Sequence, residues 1–249
     1  MTTPIDWDTL HKQEQEWDGL REVGISAIVR KAMHPHISVS RMRLFKSNKD
    51  SFIKRYIYDD KRQIRTDAMD RGKAIEKLIY GTETAPGADE IRQKVLAAGL
   101  PCSITQPDDV SFDPIDAPLM FDNSNPYLPR ILRVVPDALS KDAIFEFKHC
   151  YRDRAKENLK MAMEQIRYGQ YAINRMQGTQ EKTPKGIIVL LLRERGSVGY
   201  ENITVEVLER PATHSEELTT KEILTFAEEL HTLVTNRYDE IKTKVGLQK

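Results

Sequence analysis

The sequence predicts an α/β fold in which helices cover both faces of a mixed β-sheet, and three stretches of the chain predict it. Residues 130–148 contain two strand patterns around the polar turn 140–142, which indicates a β-hairpin. Residues 153–176 place apolar side chains at helical spacing. Residues 186–192 are apolar apart from their first glycine, which is typical of a strand buried on both faces. Two strands, a long helix and further strands in this order predict a sheet between helical layers.

Length and composition set the class of protein. The 249 residues, 39% hydrophobic and 31% charged, suit one globular domain spanning residues 1–249. No apolar run approaches the ~20 residues that cross a bilayer. The first residues do not form a basic segment followed by an apolar one, so no secretory leader is expected. Two cysteines, Cys102 and Cys150, cannot supply the four thiolates of a zinc or iron–sulfur site within one chain, and they favour an intracellular, cytoplasmic setting.

The amino-terminal part of the chain is predicted to be helical. A helical arm over residues 1–30 includes a short helix within 6–22. His34-Pro35-His36 marks a break, and Ser40 is suited to cap the helix that follows. Further helices are expected over residues 41–46, 49–58, 67–81 and 89–98.

The rest of the chain alternates between loops, strands and helices. Residues 100–128, with five prolines and five aspartates, are predicted to be an acidic loop with one short strand at 118–121. The helix over residues 153–176 is expected to bury Leu159, Ala162, Met163, Ile166, Ile173 and Met176. Strands are expected over residues 130–139, 143–148, 186–192 and 202–208. A carboxy-terminal helix is expected within residues 215–249, from about 215 to 244.

Charge is balanced overall but uneven along the chain. The chain has 38 basic and 38 acidic residues, so the net charge of zero argues against a general nucleic-acid coat protein. From Arg41 to Arg65 there are nine Lys and Arg against three Asp and Glu, a net of +6. From Pro101 to Asn125 there are five Asp and no Lys or Arg, a net of −5. The basic stripe fits a surface that contacts phosphate, and a solvated helix face is the alternative.

Three charged residues in the predicted hairpin have the chemistry for phosphodiester cleavage. Asp137 ends the first strand, while Glu146 and Lys148 lie two apart on the second and therefore share one of its faces. Carboxylates bind a hard divalent cation, and an ammonium group stabilises the anion that forms during cleavage. The pattern is common by chance, and an edge strand with one solvated face is the alternative.

The pattern Pro136-Asp137 followed by Glu146-Phe147-Lys148 resembles the motif of PD-(D/E)xK nucleases, and its surroundings resemble the RecB-like and lambda-type exonuclease branch. Ser40–Phe45 and Asp50–Tyr56 are similar to the opening helix pair of that branch. Arg71-Gly72 to Glu76 is similar to its Gly-x-x-x-Glu helix, and Gln165 with Tyr168 and Tyr171 to its Gln- and Tyr-bearing helix. The resemblance covers about residues 38–208 and implies a restriction-endonuclease-like fold.

The resemblance also implies a mechanism. Asp137, Glu146 and the backbone carbonyl of Phe147 would bind Mg²⁺, with Mn²⁺ as a substitute, and Glu76 would complete the metal shell. Lys148 would orient or help deprotonate the attacking water. The alternative for Glu76 is an ion pair with a lysine of its own helix.

Contacts to DNA are implied for a second group of residues. Gln165 would position backbone phosphate together with Tyr168 or Tyr171, and ordinary helix positions are the alternative for all three. The predicted DNA contacts are Arg41, Lys54, Arg55, Arg71, Tyr168 and Tyr171. Two features depart from the branch. Its spacing is Gln-x-x-x-Tyr, whereas here the tyrosines follow Gln165 by three and six residues, and Pro136 replaces its usual Gly.

Three functions remain open on this fold. A DNA exonuclease of phage or recombination type is favoured by the predicted helices that contain Glu76 and Gln165. A restriction-like or structure-specific endonuclease is the second, and a non-catalytic DNA-binding protein is the third. The intact Asp–Glu–Lys set argues against the third. DNA is the expected partner, in a bacterial or phage-infected cell, and a homo-oligomer and an annealing or recombination partner are compatible with the resemblance.

Overall fold

The computed structural model describes residues 18–60, 79, 87–97, 113–121, 127–177, 183–197, 202–211 and 216–245. The chain divides into two compact units. The first comprises residues 1–62, 118–133 and 217–249, and the second comprises residues 63–117 and 134–216. Strands in mixed parallel and antiparallel pairing, together with helices, confirm the predicted α/β class.

The first unit is mainly helical. Its described elements are α1 (Asp18–Met33), β1 (Ile37–Ser38), α2 (Val39–Ser47), α3 (Lys49–Tyr56), β3 (Ile131–Val134, through residue 133), α6 (Glu216–Asn236, from residue 217) and α7 (Tyr238–Lys244). β1 pairs in parallel with β3, with Ile37 opposite Leu132. The aromatic side chains of Phe45, Phe52 and Phe226 meet edge to face in the core of this unit, with ring centroids 5.1–6.0 Å apart.

α1 is longer than the sequence predicted. The prediction ended the helix at residue 22, but α1 continues to Met33 because Ile25, Ile28 and Val29 extend a buried stripe at helical spacing. The break at His34-Pro35-His36 is confirmed, since α1 stops directly before it. The part of the predicted arm before residue 18 lies outside the described residues.

The helix pair α2 and α3 agrees with the prediction, but its cap does not. Ser38 caps α2, and its hydroxyl accepts a hydrogen bond from the amide of Arg41 at 3.3 Å. Ser40, the predicted cap, instead lies in the first turn of α2. Asn48 ends α2 and caps α3 through its own side chain, which accepts from the amide of Ser51 at 2.9 Å. The carboxy-terminal helix, predicted as one, is two helices that meet at Arg237.

The second unit is built on a four-stranded sheet of order β4-β5-β6-β7. Its described elements are α4 (Ala88–Ala97), β2 (Ile115–Pro118, through residue 117), β4 (Ala138–Leu139), β5 (Ala143–Tyr151), α5 (Ala155–Gln177), β6 (Lys185–Arg193) and β7 (Thr204–Arg210). A 3₁₀ turn over Arg152–Arg154 joins β5 to α5. β5 pairs with β4 antiparallel and with β6 parallel, and β7 pairs antiparallel with β6.

Several predicted boundaries in this half of the chain need correction. The strand predicted over residues 130–139 is two strands, because Pro136 offers no amide for a ladder and interrupts it. The short strand predicted at 118–121 lies at 115–118 instead. Of the helix predicted over residues 67–81, only Ile79 is described, and it is helical and buried.

The two faces of the sheet are covered by different helices. One face packs Phe145 and Phe147 into a buried cluster with Ile91 and Val95 of α4. The other face packs against α5, and Gly169 allows a close approach, since a Cβ there would lie 3.0 Å from Ile144. Layers on both faces confirm the predicted arrangement.

The buried face of α5 differs in part from the prediction. Ala162, Ile166 and Ile173 are buried as expected. Met163 and Met176, predicted to be buried, are 40% and 58% exposed. Within the parts of the chain that the structure describes, no helix has both the length and the apolar composition needed to cross a bilayer.

Candidate active site

The hairpin of β4 and β5 places the three predicted residues on one side of the sheet. Leu139 lies opposite Ile144 in the antiparallel register, so the side chains at these positions share a face. Asp137 lies two residues before Leu139, and Glu146 lies two residues after Ile144. Continuing the register brings Asp137 across from Glu146. The predicted proximity of these carboxylates follows from the pairing, while the phenylalanines of β5 point to the other face.

A backbone hydrogen bond fixes the Asp137 carboxylate. The amide of Phe147 donates to Oδ2 of Asp137 at 2.6 Å. Asp137 directly precedes β4, so its side chain accepts the amide hydrogen bond that a further residue of a paired strand would otherwise accept. Hydrogen bonds to charged groups stabilise a protein by about 1.5–3 kcal/mol. The carboxylate is therefore held in one orientation by the strand that contains Glu146 and Lys148.

Glu146 is buried, and Lys148 is its ionic partner. Glu146 is 2% exposed, although it is a carboxylate in the middle of an inner strand. The ammonium group of Lys148 contacts Oε1 of Glu146. The Lys148 side chain is 19% exposed and therefore partly accessible to solvent. A buried charge is tolerated when it is paired. The alternative of an edge strand with a solvated face is thus incorrect for β5, which lies between β4 and β6.

The electrostatics of Asp137 are dominated by burial. Desolvation raises the pKa of the Asp137 carboxyl above its usual value, while the charge of Lys148 and the amide of Phe147 act in the opposite direction. The ionised form of Asp137 is therefore less stable in the folded chain than in water. A cation next to it would relieve that cost, because an opposite charge favours the ionised form.

The donor set fits a hard divalent cation. Asp137 and Glu146 supply two carboxylates, which are the ligands that Mg²⁺ and Mn²⁺ prefer. Among the described residues, no group of three or more His, Cys, Asp or Glu side chains forms a complete metal shell. The predicted third carboxylate, Glu76, lies outside the described residues, as do Arg71 and Gly72. Two carboxylates with the remaining positions open match the way Mg²⁺ keeps several waters.

Three predicted site residues, Gln165, Tyr168 and Tyr171, lie on α5. Gln165 is half-buried on this helix. Tyr168 and Tyr171 are 1% and 4% exposed, so both rings pack inside the second unit. This burial agrees with the alternative of ordinary core positions, and contact of either tyrosine with DNA stays a prediction. The role of Gln165 stays a prediction.

Arg41, a predicted DNA contact, is buried in the first unit. It is 8% exposed, and one guanidinium nitrogen donates to the backbone carbonyls of Ala32 at 3.1 Å and His36 at 2.6 Å. The guanidinium lies 4.2 Å from the ring centroid of Tyr56. The end of α1 needs such donors because its last carbonyls have no helical partner. Arg41 therefore has a structural role in the first unit, and its contact with DNA stays a prediction.

Lys54 and Arg55 remain exposed. Both lie in the last turn of α3. The stripe that they belong to includes residues 61–65, which lie outside the described residues. Contact between this stripe and DNA stays a prediction.

One contact at the candidate site was not predicted from the sequence. The amide of Phe147 orients Asp137, and the role of the Phe147 carbonyl as a metal ligand stays a prediction. The sequence pattern of the hairpin contained the information needed to predict this contact. A turn at residues 140–142 sets the register, and the register places residue 137 next to residues 146 and 147.

Comparison with known proteins gives distant similarities. No protein-family model matches this chain, and no curated protein matches it. The solved alkaline exonuclease LHK-Exo from Laribacter hongkongensis is similar at 15% identity over 89% of this chain and 98% of that chain, with a TM-score of 0.44. LHK-Exo in complex with dAMP is similar at 14% identity over 90% of this chain and 97% of that chain, with a TM-score of 0.44. The protein SSO0001 is similar at 13% identity over 85% of each chain, with a TM-score of 0.37.

Proposed function

We propose that this protein is a Mg²⁺-dependent deoxyribonuclease that hydrolyses phosphodiester bonds at Asp137, Glu146 and Lys148. The observation behind the proposal is the meeting of the buried Glu146, the half-buried Asp137 and the ammonium group of Lys148 on one side of the β4–β5 hairpin. Removing such charged groups from water is costly, so an arrangement of this kind supports a functional role.

Asp137 and Glu146 are the residues that would hold the cation. Both are carboxylates, and the amide of Phe147 fixes the orientation of one of them. A bound Mg²⁺ supplies a polarised water at neutral pH and neutralises charge on the phosphate. The Phe147 carbonyl and Glu76 are proposed as further ligands on the strength of the resemblance alone.

Lys148 would act on the attacking water and on the phosphate. Its ammonium group lies against Glu146 and is partly open to solvent, so it can reach a substrate at the same place. There its N–H groups can orient a water by hydrogen bonding and stabilise the negative charge that grows on the phosphate oxygens, while only its neutral amine form could take a proton from that water. An arginine could supply the charge but could not give up its proton.

We favour an exonuclease over an endonuclease, in recombination or DNA processing. The support is the resemblance of the segments around Glu76 and Gln165 to the lambda-type branch. DNA is the proposed substrate. Assembly with further copies of the chain, or with an annealing or recombination protein, remains a prediction from the same resemblance.

One assay tests the function and the mode of cleavage. End-labelled linear duplex and covalently closed circular DNA are incubated with the protein in Mg²⁺, in Ca²⁺ or in EDTA. The proposal predicts loss of label from the linear duplex in Mg²⁺ and intact circles. Degradation of circles would favour the endonuclease, and full activity in EDTA would contradict metal-dependent cleavage.

A further inference from the structure

An exposed valine stands next to the candidate active site. Val135 is 55% exposed, although it lies between two buried residues, Val134 and Pro136. Burial alternates over residues 134–137, and the two more open positions in this segment are the exposed Val135 and the half-buried Asp137. Single exposed apolar residues are common at protein surfaces. This one lies two residues from a proposed metal ligand.

Val135 lies next to the hairpin, two residues before Asp137. The pairing of β4 with β5 ends where Ala138 lies opposite Phe145, so Val135 lies beyond that ladder. The hydrogen bond from the amide of Phe147 to Asp137 ties the end of this segment to the strand that contains Glu146 and Lys148. Residues two apart in an extended chain are separated by about 6.6 Å, so Val135 borders the proposed metal site.

The local sequence holds this side chain stiffly. A residue before proline is restricted to extended backbone conformations, which fixes the direction of the Val135 side chain. A β-branched side chain also has few rotamers. The protein therefore presents a rigid apolar group near the carboxylates and the ammonium group that would contact a phosphate in the proposed function.

We propose that Val135 contacts the nucleoside attached to the scissile phosphate and so positions the DNA for cleavage. This inference rests on the proposed function. The charged residues of the site suit the phosphate, but the deoxyribose and the base face offer apolar surface that those residues cannot match. Val135 is a positioning residue and takes no part in the chemical step.

The test compares valine substitutions at two positions of similar exposure. Val135→Thr and Val135→Ala are paired with Val23→Thr and Val23→Ala, since Val23 is 48% exposed on α1. Single-turnover cleavage of a labelled linear duplex in Mg²⁺ gives the half-saturating protein concentration and the maximal rate. Fluorescence anisotropy in Ca²⁺ gives DNA affinity without cleavage, and thermal unfolding gives stability.

The Val135 variants are expected to raise the half-saturating concentration and the Kd by about three- to ten-fold, as lost apolar burial predicts. Their maximal rate and melting temperature should match the wild type, because the contact is equal in ground and transition states. The Val23 variants should change neither parameter. Unchanged half-saturation in the Val135 variants, or a matching loss at Val23, would overturn the inference while leaving wild-type cleavage intact. A wild-type protein that leaves DNA uncut would refute the proposed function and this inference with it.

Discussion

The amide of Phe147 donates a hydrogen bond to Oδ2 of Asp137 at 2.6 Å, across the β4–β5 hairpin. This bond joins the first carboxylate of the site to the strand that contains the second carboxylate and the lysine. It also holds an ionisable group where burial raises its pKa. Without a cation, the ionised Asp137 is expected to lower the free energy of unfolding, because a site arranged for a cation is unfavourable in the metal-free protein.

Asp137→Asn is predicted to stabilise the metal-free protein while abolishing cleavage. The amide oxygen of Asn keeps the acceptor for Phe147 but removes the buried negative charge. For each 1 kcal/mol relieved, the melting temperature should rise by about 2–4 °C in a protein of this size. The measurement is thermal unfolding in EDTA at pH 8, with cleavage assayed in parallel.

The pH dependence of that difference has a defined sign. A carboxyl whose folded pKa is raised favours the folded state while protonated, and this contribution is lost as pH rises through the folded pKa. Wild type and Asp137→Asn should therefore have similar stability near the usual pKa of aspartate, about 3.9, and diverge at higher pH. Mg²⁺ should stabilise the wild type more than the variant. Equal melting temperatures at pH 8 in EDTA would refute the unfavourable burial of ionised Asp137.

Lys148→Arg and Lys148→Ala are predicted to lose cleavage by similar factors. If Lys148 aims a water and exchanges a proton, a guanidinium cannot replace it, and the loss should be about 10²-fold or more. Single-turnover rates measure this. Lys185→Arg on the neighbouring strand is the matched control, since that exposed lysine pairs with Glu209 at 3.1 Å. Near-normal cleavage by Lys148→Arg would show that Lys148 contributes only its positive charge and exchanges no proton.

Charge reversal at Lys54 and Arg55 is predicted to weaken DNA binding. Both side chains are exposed at the end of α3, so the change should leave folding intact. Loss of phosphate contacts should reduce the salt slope by roughly one for each contact, whatever the DNA sequence. The measurement is DNA affinity across a salt series, with Lys221→Glu on α6 as an exposed control. An unchanged affinity and slope would remove this surface from the DNA contacts.

Arg41 is predicted to affect stability more than DNA binding. Arg41→Met removes the donor to the carbonyls of Ala32, at the end of α1, and of His36, just after it, and each carbonyl left unpaired costs about 1–3 kcal/mol. The variant should melt well below the wild type, whereas Arg55→Met should melt close to it. Thermal unfolding makes the comparison. A stable Arg41→Met protein with weakened DNA affinity would reverse this assignment.

The sequence predicted the strands around the site because their periods are strong. The alternation of residues 143–148 and the apolar run of 186–192 match β5 and β6. The carboxylates and the lysine were predictable because a short turn sets the hairpin register. The split of one predicted strand at Pro136 follows from the missing amide of proline, a signal that was present in the sequence.

Other features depend on tertiary packing that sequence patterns do not contain. The rings of Tyr168 and Tyr171 are buried although tyrosine suits both surface and core. Arg41 belongs to a basic stripe of the sequence, yet its side chain is buried because it donates to the His36 carbonyl just after α1. The cap fell on Ser38 rather than Ser40 because both serines are good caps, and only the backbone geometry distinguishes them.

The measurement that tests the central claim most directly is single-turnover cleavage of an end-labelled linear duplex across a Mg²⁺ titration. It compares the wild type with Asp137→Asn, Glu146→Gln and Lys148→Ala, each shown to be folded by thermal unfolding. The account predicts Mg²⁺-dependent cleavage by the wild type, a loss of about 10²-fold or more in Lys148→Ala at every Mg²⁺ concentration, and partial recovery of Glu146→Gln at high Mg²⁺. Wild-type cleavage rates in all three folded variants would contradict the assignment of this hairpin as the active site.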